Sequence, residues 1–349
     1  MKIGFTSSAA LSNVPRITSM RLQAQLLNAQ KELQTQRHAD VGIAIGFDTG
    51  QAIGLRAERV RLDEIKTSND LASVRLDVTQ NALNSMSKTA TDMIGQLFGG
   101  RNSTTGPAAV RESAEAALKS MGDLLNTQIN GTFLFAGINT DVKPVADYFA
   151  TPTSASKAAV DAAFQAQFGF AQTDPQAAQI TGAQMQAFLD TPFADLFTPT
   201  NWSTTWSSAS DQNIRNRIST NELIDTSTNA NEDAFRKLAS AYTMLADLNM
   251  EGLTQNAYQS VVDTAVGILG GAIQDLTEVQ AGLGVSQSRI TEANNRMSIQ
   301  ADLLDSHITL LEGVDPYEAT VRVNALMTQI ETAYAMTARI QQMSLLKYL

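Results

Sequence analysis

The residues able to do chemistry are few and scattered. The 349-residue chain holds two histidines, His38 and His307, and no cysteine. Without cysteine there are no thiol nucleophiles, thiolate metal sites or disulfides. A Ser–His–Asp relay needs an imidazole within hydrogen-bond reach of an activated hydroxyl. His38 stands beside a glycine-rich stretch and His307 in a helix-periodic segment, and neither has the context of a nucleophile elbow or a zinc-binding HExxH. The carboxylate pairs Glu232/Asp233 and Asp302/Asp305 also lie in helix-periodic segments and fit no EF-hand loop. Gly42, Gly46, Gly50 and Gly54 could bring backbone close to a phosphate. No GxxxxGK[ST] run or strand–loop–helix unit surrounds them, so they read as a loop or tight turns over 39–54. Trp202 and Trp206 could stack on a sugar, but the expectation is a core role. Asn102-Ser-Thr and Asn201-Trp-Ser match the glycan sequon, a weak motif. The expectation is a protein without enzymatic activity, cofactor or metal.

Composition narrows the partners. The net charge of −10 argues against a nucleic-acid binder, which needs a basic face, and against attachment to an anionic membrane. Hydrophobic residues make up 43% of the chain and aromatic residues only 6%, which favours long thin helical seams over a compact aromatic core. No stretch approaches the roughly 18 apolar residues of a membrane span. The first twenty residues have no continuous apolar segment, which predicts no cleaved secretory signal.

Periodicity supplies the elements. Positions 62, 65, 69, 72, 76, 79, 83, 86, 90, 93 and 97 step alternately by three and four, the spacing of a heptad seam. Asn69 and Thr79 are its polar interruptions, and Gly99-Gly100 closes it. A shorter seam, Leu22, Leu26, Ala29 and Leu33, follows a polar stretch over 1–13 that reads as loose, with the helix starting near Pro15. A third helix is expected from about 108 to 130, then a short β-prone stretch, GTFLFAG. Near 231 the helical idiom returns, with Gly270-Gly271 expected to interrupt or tighten it and a kink over 282–284. Glu312-Gly313 breaks the pattern. Asp315, Pro316 and Glu318 restart it as a capping box with proline at the first helical position.

The final helix carries a seam of Val323, Leu326, Ile330, Ala333, Thr337 and Ile340, with Tyr334 beside it. It ends on Leu345, Leu346, Tyr348 and Leu349, an apolar terminus that needs cover. Between the helical arms, 141–229 is different. It holds five of the eight prolines, both tryptophans and most of the Ser/Thr clustering, with short helices over 155–168 and 175–190. Neither arm can bury its seam alone. The economical solution pairs the arms: a mainly α fold, with long antiparallel coiled-coil helices from both termini and an α+β insert at the tip. Three regions follow: 1–40 with 315–349, 41–140 with 230–314, and the insert 141–229. Leu22, Leu26 and Leu33 are the expected assembly contacts from the first arm. Val323, Leu326, Ile330, Tyr334, Ile340, Leu345, Leu346, Tyr348 and Leu349 are those from the last. Gly313, Asp315 and Pro316 form the joint.

That layout resembles the bacterial flagellin superfamily along essentially the whole chain. ARIQQMSLLKYL (338–349) looks like the closing segment of its hook-associated members. GTFLFAGINTDVKP (131–144) is similar to the Gly-x-Phe-Leu-Phe-x-Gly stretch of its hook–filament junction branch. Where flagellins carry Ser-Gly-x-Arg-Ile-Asn and Asp-Asp-x-Ala-Gly, this chain has HADVGIAIGFDTGQAIGLR (38–56), and only Arg37 and Asp40 correspond. The resemblance implies an inner tubular layer from the terminal helices, a bundle layer outside it and an outward-facing insert. It implies export to the extracellular flagellum without a cleaved signal. It also implies a homo-oligomeric ring, with the first hook–filament junction protein, flagellin and a cytoplasmic export chaperone as partners. The alternative within the superfamily is the bulk filament subunit.

Overall fold

The computed structural model describes residues 8–102 and 106–345, with side chains described over 13–102 and 106–339. Ten α-helices and four short strands are assigned among them. Two compact units emerge. One comprises residues up to 64 together with those from 296 onward; the other is 65–295.

In the first unit, α1 (Ser8–Thr35) packs on α10 (Pro316–Leu345). Helix α1 already runs from Ser8 and passes through Pro15, so the loose segment expected over 1–13 is helical from residue 8. Pro15 leaves one backbone hydrogen bond of the helix unmade without ending it. Gln36 adopts a left-handed backbone (φ 54°), turning the chain out of α1. The stretch 39–54 is not the expected loop. Asp40 caps a five-residue helix, α2 (Val41–Ile45), by accepting the Ile43 amide at 3.0 Å. Gly46 turns the chain at φ 51°, and α3 (Thr49–Gly100) takes in Gly50 and Gly54.

The second unit is built on the antiparallel pairing of the part of α3 from residue 65 onward with the part of α9 (Gln255–Glu312) up to residue 295. Polar rungs mark the register. Arg101 pairs with Asp263 at 2.6 Å, Asn84 accepts from Gln280 at 2.8 Å, and Asp77 accepts from Gln287 at 2.7 Å. All eleven seam positions from Leu62 to Leu97 are buried, including Asn69 and Thr79. Helix α4 (Gly106–Leu125) packs on α8 (Asp233–Asp247), whose residues from Ala234 to Ala246 are almost all buried. Burial on nearly every face makes α8 the central helix of this unit. Gly270-Gly271 do not interrupt α9, which runs as one continuous helix through them and through 282–284. Gly267, Gly270, Gly282 and Gly284 have nothing within 4 Å of where a methyl group would sit, so they ride in the helix without steric necessity.

The region between the arms folds as short helices and two hairpins. Helix α5 (Ala155–Phe168) is capped by Ser154, α6 (Gly182–Phe188) starts with a Thr181/Gln184 capping box, and α7 spans Pro199–Thr205. Strands β1 (Gln128–Ile129) and β2 (Thr132–Phe133) form one antiparallel pair; β3 (Arg215–Ser219) and β4 (Glu222–Asp225) form the other. The third helix stops at Leu125, short of the expected 130, because β1 begins at Gln128. Trp202 is fully buried, stacked 5.2 Å from Trp206, and donates its indole N–H to the Ala230 carbonyl at 3.1 Å. The tryptophans are core, as expected, and no glycan platform forms from them. Phe135, also fully buried, meets Phe235 edge-on at 5.6 Å.

Candidate assembly surface and joint

No helix among the described residues is long and apolar enough to cross a membrane. No group of three His, Asp or Glu among them could hold a metal ion. His307 is exposed, and His38 lies 3.8 Å from Glu32 with no nucleophile at hand. Asp233 is taken up by Arg236 and Lys237, and Asp305 by Arg59.

The first surface is the α1–α10 pair. Ala29, Val323 and Leu326 form its buried apolar cluster, with Leu22, Leu26 and Leu33 packed against them half-buried, and Ser19 and Ala319 are buried as well. Ile330 is half-buried on the same side of α10. Tyr334 is half-exposed, and its hydroxyl accepts a hydrogen bond from the Gln23 amide. The side chains of Ile340 and Leu345 lie outside the described residues, as do Leu346, Tyr348 and Leu349 altogether. Arg322 bridges the helices, bonding Glu32 at 2.9 Å and Glu318 at 2.6 Å. Around this narrow seam the pair exposes large apolar side chains: Ile17, Met20 and Leu27 on α1, and Val321, Met327 and Met336 on α10.

The second feature is the joint. The chain leaving α1 meets the chain leaving α9 in a short antiparallel bridge between Arg37 and Gly313. The His38 amide donates to the Glu312 carbonyl and the Val314 amide to the Gln36 carbonyl, each at 3.0 Å. Glu312 is the one buried charged residue among the described residues, and both Arg37 and Arg56 donate to its carboxylate. Burial pushes the Glu312 carboxyl up, but hydrogen bonds from Arg56 and then Arg37 outweigh it and hold the group below the usual carboxylate range. Arg59 extends the network to Asp63 and Asp305.

Asp315 caps α10 by accepting the Tyr317 amide at 2.8 Å, and Pro316 takes the first helical position. Glu318, the expected second partner of the capping box, accepts a hydrogen bond from Arg322 at 2.6 Å. Gly313 has a steric reason. A Cβ there would drive into the Thr309 carbonyl oxygen. The sequence pattern marked the break at Glu312-Gly313 but missed the arginines that fill it. Arg37 and Arg56 lie 275 and 256 positions from Glu312, and helical periodicity carries no signal at that separation.

Fold and surface together define a structural subunit whose terminal helices pack on each other and whose outer faces stay apolar. The chain belongs to the bacterial flagellin family. The family's N-terminal helical region matches residues 6–140 and its C-terminal helical region matches 266–349, together more than half of the chain. Among solved structures, the chain is similar to one described as a candidate flagellar hook-associated protein from Vibrio parahaemolyticus. The TM-score is 0.51 at 10% identity, over 75% of this chain and 96% of that one. No curated protein sequence matches. The protein is therefore a flagellar structural protein that assembles into flagellar polymers and is not an enzyme.

Proposed function

We propose that the chain is a hook–filament junction protein equivalent to hook-associated protein 3, the second of the two junction proteins. The observation that carries this reading is the 131–144 stretch, whose Gly-x-Phe-Leu-Phe-x-Gly pattern resembles the junction branch. In this fold the stretch is a structural clasp. Phe135 lies in the core, the Phe135 carbonyl accepts the Ala230 amide at 2.7 Å, and Gly137 turns at φ 61° against the Ser210 and Gln212 carbonyls. The hook-associated description of the Vibrio structure supports the same reading.

On this reading the residues at 1–40 and 315–349 form the inner layer of a ring of copies, 41–140 with 230–314 form the bundle layer, and 141–229 faces outward. The α1–α10 residues from Leu22 to Leu33 and from Val323 to Ile330 set the pair that neighbouring copies contact. The first junction protein lies on one side of the ring and flagellin on the other. A cytoplasmic chaperone covers the C-terminal helix before export to the cell exterior.

The test is position along the flagellum. An antibody to 141–229 should label one band where hook meets filament. Cells lacking the gene should carry bare hooks and release flagellin into the medium. Label spread along the whole filament would instead identify a bulk subunit.

A further inference from the structure

Ile43 and Phe47 are the unexplained pair in the first unit, 84% and 98% exposed. They do not sit on a frayed segment. Asp40 caps the short helix beneath Ile43, Gly46 supplies the left-handed turn, and the Thr49 hydroxyl donates to the Gly46 carbonyl at 2.7 Å. The turn is pre-organised, and it presents two large apolar side chains to solvent. Leaving them there forgoes the burial free energy that such side chains normally contribute.

The same unit carries a cavity of about 750 Å³ at the joint. Val60, Ile308 and Val314 give it apolar walls, and Arg37, Arg56 and Arg59 line it as well. Those guanidiniums are already charge-paired with Glu312, Asp63 and Asp305, so an added carboxylate gains little there. Their flat faces remain suited to an aromatic ring, which a guanidinium attracts through the ring quadrupole. The cavity is in the size range of small-ligand pockets and can take a phenylalanine with a branched aliphatic neighbour. Phe47 does not occupy its own cavity, since almost all of its surface is exposed.

We propose that the 41–48 turn of one copy seats Ile43 and Phe47 in the joint cavity of the next copy. A second copy is the fitting occupant because knob and socket lie on one chain, unengaged with each other, in a family that builds polymers. A contact between two different patches repeats head to tail, and it closes into a ring or winds into a helix. The inference rests on side-by-side assembly of copies. It does not depend on where along the flagellum they lie.

The absence of native cysteine makes the test clean. Full-length protein carrying Phe47→Cys and Val314→Cys is expressed in place of the native chain, and flagella sheared from those cells are oxidised. The expected result is a ladder of cross-linked dimers, trimers and higher species, at least tenfold stronger than with the control pair Phe47→Cys and Met336→Cys. Each single variant should stay monomeric, and a mixture of the two single variants should stop at dimers.

Three results would overturn the proposal: no ladder, a ladder of equal strength from the control pair, or a fast-migrating internally linked monomer. As a second measurement, Phe47→Ser should leave the melting temperature of the isolated protein unchanged and lower its retention in flagella severalfold. Normal retention would also overturn it. Antibody labelling reads the junction reading separately, so a ladder from copies spread along the filament would reject the junction and keep the contact.

Discussion

Asn69 of α3 and Asn294 of α9 meet inside the second unit, the Asn69 amide donating to the Asn294 side-chain oxygen at 2.7 Å. Asn69 is fully buried at a position where the heptad calls for an apolar residue, and the same amide also donates to the Ile218 carbonyl of β3 at 2.9 Å. One side chain therefore ties two long helices and a hairpin into one register. Asn69→Ala should cost about 2 kcal/mol, the range for leaving buried polar groups unpaired. It should also speed amide exchange across β3 and β4. Urea denaturation followed by exchange mass spectrometry checks both; an unchanged midpoint would show that the anchor is dispensable.

The Glu312 carboxylate sets a pH dependence. Its folded-state pKa is depressed, so its contribution is complete above the unfolded-state pKa and fades as pH falls through the lower folded value. Glu312→Gln keeps the shape and removes the charge. It should cost about 1–2 kcal/mol at neutral pH, a value discounted because both arginines are partly exposed. The variant should also melt with a flatter acid profile than the native chain. Parallel acid profiles would exclude Glu312 as the titrating group.

At the joint the two residues singled out from sequence should behave differently. Gly313→Ala forces a methyl group against the Thr309 carbonyl and should cost about 1–3 kcal/mol in backbone strain. Pro316→Ala keeps the Asp315 cap and should change stability by less than about 1 kcal/mol. Thermal melts of the two variants, with motility of cells carrying them, separate a steric requirement from a tolerated position.

Phe135→Ala empties a fully buried site beside Phe235 and should destabilise the second unit by about 3–5 kcal/mol. Because the 131–144 stretch also carries the junction resemblance, this variant should be poorly folded and therefore absent from flagella. A folded Phe135→Ala protein that is still left out would give the stretch a role in recognition beyond packing.

Among the described residues, α1 and α10 bury four apolar side chains, Ala29, Ala319, Val323 and Leu326, whereas α8 is buried on nearly every face. Amides over 13–35 and 316–339 should therefore exchange far faster in the dilute monomer than those of α8, and become protected on assembly. Strong protection of both helices in the free chain would contradict this.

The α3 seam was legible because three-four spacing over so long a run has one physical solution, and even its polar exceptions lie where the period puts them. The short helix over 155–168 was legible, but the one expected over 175–190 is divided into a 3-10 turn at Pro175–Gln179, α6 at Gly182–Phe188 and a π turn at Leu189–Phe193. What failed was propensity wherever tertiary contact overrides it. Pro15 and the α9 glycines argued for ends and kinks, yet each stays helical. Residues 39–54 looked like turns because four glycines outweighed Asp40 and Ile43, whose cap makes a helical turn. The Arg37–Glu312–Arg56 cluster was invisible because nothing in a local window pairs residues so far apart.

The unneeded glycines of α9 have a consequence for how the chain comes apart. Four of them lie within one helix, and each is worth roughly 1 kcal/mol less than alanine in helix formation. Left by itself, that segment would be coil. Its helicity is borrowed from α3 and α8, and it should be surrendered as soon as those neighbours are stripped away. A rod that holds in company and becomes thread in isolation owes its stiffness to its neighbours more than to its own sequence.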